Sequence, residues 1–308
     1  MFAAPTSTVL GRPITFWTRF ALIWLMVITV TGAGVRLTGS GLGCLDWPNC
    51  TANEQLDAPS FHSAIEFGNR VISGLAILPL IAAAIIARRE RRDTYGVIAA
   101  LVAGFIGQVV LGMLVTRTEL DPRVVLGHFL LSIVLIFLAV LLDVRVRNAP
   151  NRGASMLGRR QLGGLVPLGL ASVVIVLGTL VTGSGPHTGS APTGEPIPRL
   201  GFDITDITRI HSLAAWALVA SIVAGMWVNR NPGADHDRRW FTGIGALAVA
   251  QGGIGYLQFA IGVPASLVAV HIVGSVLLWT LIAWYAVSVT LTTEAVKPAP
   301  ATTHGLVQ

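Results

Sequence analysis

Eight apolar runs divide the chain, roughly 20 to 37, 64 to 87, 95 to 115, 124 to 142, 163 to 182, 207 to 228, 241 to 260 and 266 to 290. Each is near the ~20 residues that a helix needs to cross the hydrocarbon core of a bilayer. In lipid a segment must satisfy its own backbone N–H and C=O groups, so runs of this length predict helices. A composition of 53% hydrophobic and only 12% charged residues in 308 excludes an ordinary water-soluble domain. The predicted fold is all-α integral membrane, with eight transmembrane helices. The first run has no small-residue cleavage site behind it before the next polar loop, so it reads as a retained span and not a signal peptide.

A formal net charge of +6 invites a nucleic-acid reading, but the placement of the arginines excludes it. They gather between apolar runs, in RRERRD (88 to 93), in the stretch from 143 to 161, in 229 to 239 and in the N-terminal arm with Arg12 and Arg19. These segments and Lys297 hold 15 of the 21 basic residues, all on one side of the predicted membrane. An excess of arginine and lysine marks the cytoplasmic side. Both termini are then cytoplasmic, and the loops at 38 to 63, 116 to 123, 183 to 206 and 261 to 265 lie outside. Residues 1 to 19 form a cytoplasmic arm, 143 to 162 a basic linker, and 291 to 308 a disordered tail.

An internal repeat underlies the eight runs. TGSG at Thr38 to Gly41 recurs at Thr182 to Gly185, an offset of 144; Gln108, Gly112 and His128 match Gln251, Gly255 and His271 at 143, and Asn69 matches His211 at 142. Four markers in order at a nearly constant offset predict two four-helix bundles, 20 to 142 and 163 to 290. Four is even, so the two are parallel rather than inverted repeats. Asn69, His128, His211 and His271 then share one depth, near the outer face.

Ionisable side chains in a span cost about 2.5 to 3.5 kcal/mol each at its centre, which makes them functional candidates. His62, Glu66 and Asn69 fall at i, i+4 and i+7 on one helix face, with Arg70 beside them. A single histidine on an apolar face is ordinarily satisfied by a neighbour. Repetition points further: His211 and His271 share a half and a depth, and two imidazoles so placed are able to take both axial positions of a haem iron. Zinc would want more nitrogen or sulfur ligands. Glycines inside the spans, among them Gly68, Gly74, Gly104, Gly112, Gly252, Gly253 and Gly255, read chiefly as close helix packing, some of them clearing space for a flat ring. His187 reads as a surface residue, and His236 and His304 as loop and tail residues outside any site.

Cys44 and Cys50, the only cysteines, lie in the first outer loop as GCLDWPNC. An oxidising compartment favours a disulfide that staples the loop, with an exposed redox pair as the sharper alternative. Arg36, Arg70, Arg117, Arg123 and Arg209 lie near outer span ends. Snorkelling is the plain account of all but Arg70, for which pairing with haem propionates weighs equally.

Taken together, TGSGLGC-x-DWP-x-C, the I-E-F-x-x-(H)-R pattern at 65 to 70, LGH at 126 to 128, the I-H at 210 to 211 and the His271 span make the stretch from about 20 to 290 resemble the haem A synthase family. The resemblance implies a bacterial plasma-membrane enzyme that oxidises a ring methyl of haem O to the formyl of haem A for terminal oxidases. It implies a haem b on His211 and His271 in the C-terminal half. In the N-terminal half it implies a pocket for the substrate haem, with His128 as one axial ligand, Arg70 nearby and Glu66 as the essential carboxylate. One departure matters: Asn69 stands where the family has a second histidine. Either His128 alone ligates and leaves a coordination position open, or His62 or Glu66 takes part, or that half is inactive; the first is favoured because Glu66 and Arg70 are retained. Implied partners are haem O, a haem O synthase and the lipid bilayer, with no nucleic acid. The electron acceptor is not identified by the sequence, and a homo-oligomer is left open. The rival reading, a b-type cytochrome passing electrons without substrate chemistry, leaves Glu66 unexplained. A transporter would need a polar path through the bilayer, whereas the charged groups cluster at one face.

Overall fold

In the computed structural model the described residues are 7–55, 58–148, 159–187, 189, 197–228 and 234–291. The tail expected to be disordered (apart from Leu291), half of the basic linker and the middle of the 183 to 206 loop lie outside them. Nine α-helices occur among the described residues: α1 (Ile14–Leu37), α2 (Pro59–Gly74), α3 (Ile77–Glu90), α4 (Tyr95–Arg117), α5 (Pro122–Arg147), α6 (Arg159–Ser184), α7 (Ile204–Val228), α8 (Asp235–Ala260) and α9 (Ala265–Leu291). No strand element is present among them, only isolated bridges.

Each apolar run sits inside a helix or a pair of helices. The second run is broken between α2 and α3, after Gly74. Pro79 lacks a backbone N–H, and its ring crowds the carbonyl of Leu75 four residues back, which favours a kink or break at this point. The chain instead closes tighter three-residue bonds there, Ala76 N–H to Ser73 O at 3.1 Å and Leu78 N–H to Leu75 O at 3.1 Å. Other boundaries have local causes. Asp121 caps α5 by accepting the Arg123 N–H at 2.8 Å, with Pro122 at the first position. Asp203 caps α7 by accepting the N–H groups of Thr205 and Asp206, at 2.9 and 3.0 Å.

Counting α2 and α3 as one rod, seven rods are long and apolar enough to cross a membrane. The exception is α8, which was expected to span over 241 to 260. It is 26 residues long, but it opens on Asp235, His236, Asp237, Arg238 and Arg239 and is diluted by Gln251, Gln258 and five glycines. Large apolar side chains such as Leu78, Ile106, Leu213 and Val249 are exposed on the outside of the bundle. In water such a surface would aggregate; in lipid it is the solvent-facing side of a multi-pass membrane protein.

The packing order is the same in both parts of the chain. Helix α1 packs on α2, α3 and α5, α3 packs on α4, and α4 on α5; likewise α6 packs on α7 and α9, α7 on α8, and α8 on α9. Between the two sets, α1, α5 and α9 meet at the centre. There Leu22, Leu25, Ile136, Val140, Val276 and Ala283 are buried, and the Trp279 indole N–H donates to Ile133 O at 3.0 Å. Glycine permits the closest approach: a Cβ on Gly164 of α6 would stand 2.8 Å from the Ala286 Cα of α9. At the end nearer the N-terminal arm, buried Asp143 accepts from Thr18 at 2.6 Å, from Arg19 at 3.0 and 3.1 Å and from Arg147 at 2.9 and 3.2 Å. Arg19 and Arg147 read from the sequence as topological charge; here they also neutralise a carboxylate in the core.

Candidate functional site

The singled-out side chains lie at the opposite end, near the starts of α2, α5, α7 and α9. In the N-terminal set, α2 carries Glu66, buried to 6% exposure, and Arg70 one turn on. The Glu66 Oε1 accepts the Arg70 Nη2–H at 2.6 Å, and its Oε2 accepts the backbone N–H of Cys44 at 2.9 Å. Arg70 continues into the loop, donating through Nη1 to Asp46 O at 2.8 Å and Asn49 O at 2.7 Å, and through Nη2 to Thr116 Oγ1 at 3.4 Å. Glutamate and arginine together therefore clamp the loop that holds Cys44 and Cys50. Those cysteines form a disulfide, as the loop reading expected. A cleft of about 500 Å³ opens beside it, lined by Pro48, Asn49, Cys50, Ser63, Ala64 and Phe67.

His62, read from the sequence as an alternative ligand, has a defined partner. Its Nδ1 lies 2.8 Å from Ser40 Oγ, which itself lies 2.8 Å from Thr38 Oγ1. The close approach of the loop requires glycine: a Cβ on Gly43 would stand 2.5 Å from the His62 carbonyl. His62 therefore fixes the first TGSG segment.

Asn69 accepts the Thr31 hydroxyl of α1 through Oδ1 at 2.9 Å, and a Cβ on Gly32 would reach its Nδ2 at 3.9 Å. The corresponding residue of the second set is held differently. His211 Nδ1 lies 3.0 Å from the Val174 carbonyl of α6. A carbonyl only accepts, so the proton sits on Nδ1 and the lone pair on Nε2 is left for a ligand. Gly178 opposes this ring as Gly32 opposes Asn69; a Cβ there would meet His211 Cε1 at 3.1 Å.

His128 and His271 match in detail. A Cβ on Gly112 would stand 3.6 Å from His128 Cε1, and one on Gly255 3.5 Å from His271 Cε1. In both rings Nδ1 is buried without a hydrogen-bond partner. Ser132 donates to His128 O at 3.1 Å and Ser275 to His271 O at 2.7 Å, with Gln108 and Gln251 against the respective serines at 2.7 and 3.4 Å. Sequence reasoning used Gln108 and Gln251 only as repeat markers and missed Ser132 and Ser275. Their identical offset of 143 was the available signal.

The remaining candidates separate. Arg117 and Arg123 are exposed, and Arg209 pairs with Asp206 at 3.3 Å on the surface. His187 is half-buried, with Nε2 2.7 Å from Val263 O, so it ties two loops together instead of standing free on the surface. Arg36, read as snorkelling, instead turns inward: its Nη2 donates to Thr182 O at 3.0 Å, and its Nε is buried without a partner.

Fold and site define a multi-pass helical membrane protein that presents imidazoles from several helices, together with a buried carboxylate, at one end of its bundle. The chain belongs to the family described as cytochrome oxidase assembly protein, whose model matches residues 15–283. It is similar to the heme A synthase of Geobacillus thermodenitrificans, 32% identical over 158 residues covering 49% of each chain. It is similar also to the heme A synthase of Shewanella oneidensis, 27% identical over 204 residues, 60% of this chain and 61% of the relative. A third likeness covers 88% of this chain and 48% of its relative, 27% identical over 301 residues, and is to the protoheme IX farnesyltransferase of Thermus thermophilus. The chain spans about half the length of the first of these curated relatives. The resemblance drawn from the motifs and the family match agree.

Proposed function

We propose that the protein is a haem A synthase, oxidising the ring methyl of haem O to the formyl of haem A for oxidase assembly. The observation that carries this reading is the asymmetry of two otherwise matching sites. His271 faces a set in which His211 offers Nε2; His128 faces a set in which the matching position is Asn69, tied to Thr31, with buried Glu66 one turn before it. A closed pair of ligands suits a resident cofactor. An open position beside a carboxylate suits a substrate that must enter, react and leave.

The residues present fit a haem b in the 163 to 290 half. His211 has its tautomer fixed by Val174, His271 has an unpartnered ring nitrogen, and Gly178 and Gly255 leave the space against the rings that a side chain would fill. Bound there, bis-histidine haem supplies one-electron transfer. The 20 to 142 half takes haem O, with His128 as its iron ligand. Glu66 holds negative charge in a low-dielectric setting, where it can accept a proton or steady a developing cation, and Arg70 orients it. The repeated packing order of the helices supports the division into halves, with 143 to 162 as linker.

The arginine distribution supports cytoplasmic termini in a bacterial plasma membrane, α8 completing eight spans and the site facing outward. The likeness to a protein named protoheme IX farnesyltransferase supports a haem O synthase as the partner that supplies substrate. The test is co-expression with a haem O synthase followed by pigment extraction. Haem A that appears with the wild-type chain and is absent with Glu66→Ala supports the reading. Haem O left unaltered by the wild type, alongside a bis-histidine b-type spectrum, would establish an electron carrier instead.

A further inference from the structure

Arg36 carries a positive charge that no carboxylate among the described residues balances. Eighteen residues is five helical turns, so Arg36 lies on the face of α1 that holds Thr18, Leu22, Leu25 and Thr29, the face buried toward α5 and α9. Its guanidinium reaches across to the end of α6 and donates from Nη2 to Thr182 O at 3.0 Å. That bond satisfies one of five N–H groups, and Nε–H is buried with no acceptor. Among the described carboxylates at this end, Glu66 pairs with Arg70 and Asp206 with Arg209, Asp121 and Asp203 cap helices, and Asp46 accepts the Thr51 N–H. Among the described residues no carboxylate pairs with Arg36. Arg36 is half-buried, and a cation drawn out of water without a counter-charge is costly, whereas arginine paired with a planar carboxylate gains two parallel charge-assisted hydrogen bonds.

We propose that Arg36 binds a propionate carboxylate of a haem held by this protein, at the seam between the two halves. The proposal rests on the haem-binding reading above. A propionate reaching the seam comes from either of two sources, the resident haem of the C-terminal half or the haem O of the N-terminal half. Both present the same carboxylate to the same guanidinium fork. Arg36 is thus a positioning residue that fixes one edge of the macrocycle while histidine holds the iron.

The test uses the purified full-length protein as wild type, Arg36→Gln and Arg36→Lys, reconstituted with haem carrying ¹³C-labelled propionates. Three quantities are read: the isotope-sensitive carboxylate bands in redox-difference infrared spectra, the midpoint potential of the resident haem, and the Kd for added haem O by absorbance titration. If the resident haem is the source, Arg36→Gln keeps its bis-histidine spectrum but loses the propionate band shift, and its potential falls. If haem O is the source, the resident haem is untouched and the Kd for haem O rises about tenfold, the scale of one charge-assisted contact. Arg36→Lys, which keeps the charge without the fork, recovers part of whichever quantity moved, and it serves alone if Arg36→Gln fails to fold. Bands, potential and Kd all equal to wild type in the folded variants would overturn the proposal. A wild-type protein that binds no haem fails the underlying reading instead, and the two failures are distinguishable.

Discussion

The carboxylate of Glu66 accepts the backbone N–H of Cys44 at 2.9 Å, so the candidate catalytic group and the disulfide loop share one hydrogen bond. With Arg70 on its other oxygen, Glu66 is at once a reactive candidate and the fastener of the loop that holds the disulfide. Two roles in one residue call for two substitutions. Glu66→Gln retains an oxygen for the Cys44 N–H but loses the charge and the acceptor for Arg70, which keeps its bonds to Asp46 O and Asn49 O; it is expected to leave the resident haem and most of the protease resistance of the loop in place while haem A formation falls below detection. Glu66→Ala also leaves Arg70 without its partner, which costs about 3 kcal/mol for a buried pair, and should open the loop to proteolysis. Haem A production by Glu66→Gln at wild-type level would remove Glu66 from the chemistry.

The disulfide contributes through the short loop that it closes. Cys44 and Cys50 are 6 residues apart, and a loop of that size loses about 2 kcal/mol of chain entropy on cross-linking. The double variant Cys44→Ser, Cys50→Ser should therefore melt a few degrees lower in detergent, with its haem spectrum unchanged. An unchanged melting temperature would show that the Glu66 and Arg70 clamp suffices to hold the loop.

Much of the fold was legible in the sequence, for a physical reason. Lipid admits few structures other than helices, so apolar runs and helices coincide, and 124 to 142 becomes Pro122–Arg147 with short ends of mixed polarity added. The break at Gly74 was legible too, in Pro79, but hydropathy averages over a single proline. The histidines, Glu66 and Asn69 stood out because ionisable and amide groups are rare in lipid. What stayed hidden were pairings across the bundle. Asp143 finds Thr18 and Arg19 more than a hundred residues away, and Arg36 finds Thr182 at the other half. Neither contact leaves a local periodicity. Arg19 and Arg147 were read as charge facing the cytoplasm, because the positive-inside signal does not reveal which arginines also turn inward to a carboxylate.

Asp143 itself offers a stability test remote from the pocket. Its carboxylate is fully buried, while Arg19 and Arg147 are partly exposed and solvent weakens their attraction. Asp143→Ala removes the acceptor for Thr18 and both guanidinium groups, and is expected to cost about 2 to 3 kcal/mol, toward the low end for a broken buried pair. Thermal melting in detergent measures this loss, and haem A formation per folded molecule should be unaffected.

The asymmetry between Asn69 and His211 can be reversed. Asn69→His places an imidazole at the repeat position of His211, in the half that holds His128. Gly32 has no side chain to crowd the position: a Cβ there would stand 3.9 Å from Asn69 Nδ2, as one on Gly178 would stand 3.1 Å from His211 Cε1. The Thr31 hydroxyl, freed from the Asn69 Oδ1, remains in reach to accept from the new Nδ1–H and fix its tautomer. The variant is expected to gain a second low-spin bis-histidine signal in electron paramagnetic resonance and to retain close to two haems per chain after purification. Tighter ground-state binding without a matching gain in the transition state slows turnover, so haem A production should fall several-fold. A variant that still carries one haem and works at wild-type rate would show that the open coordination position is not what distinguishes the two halves.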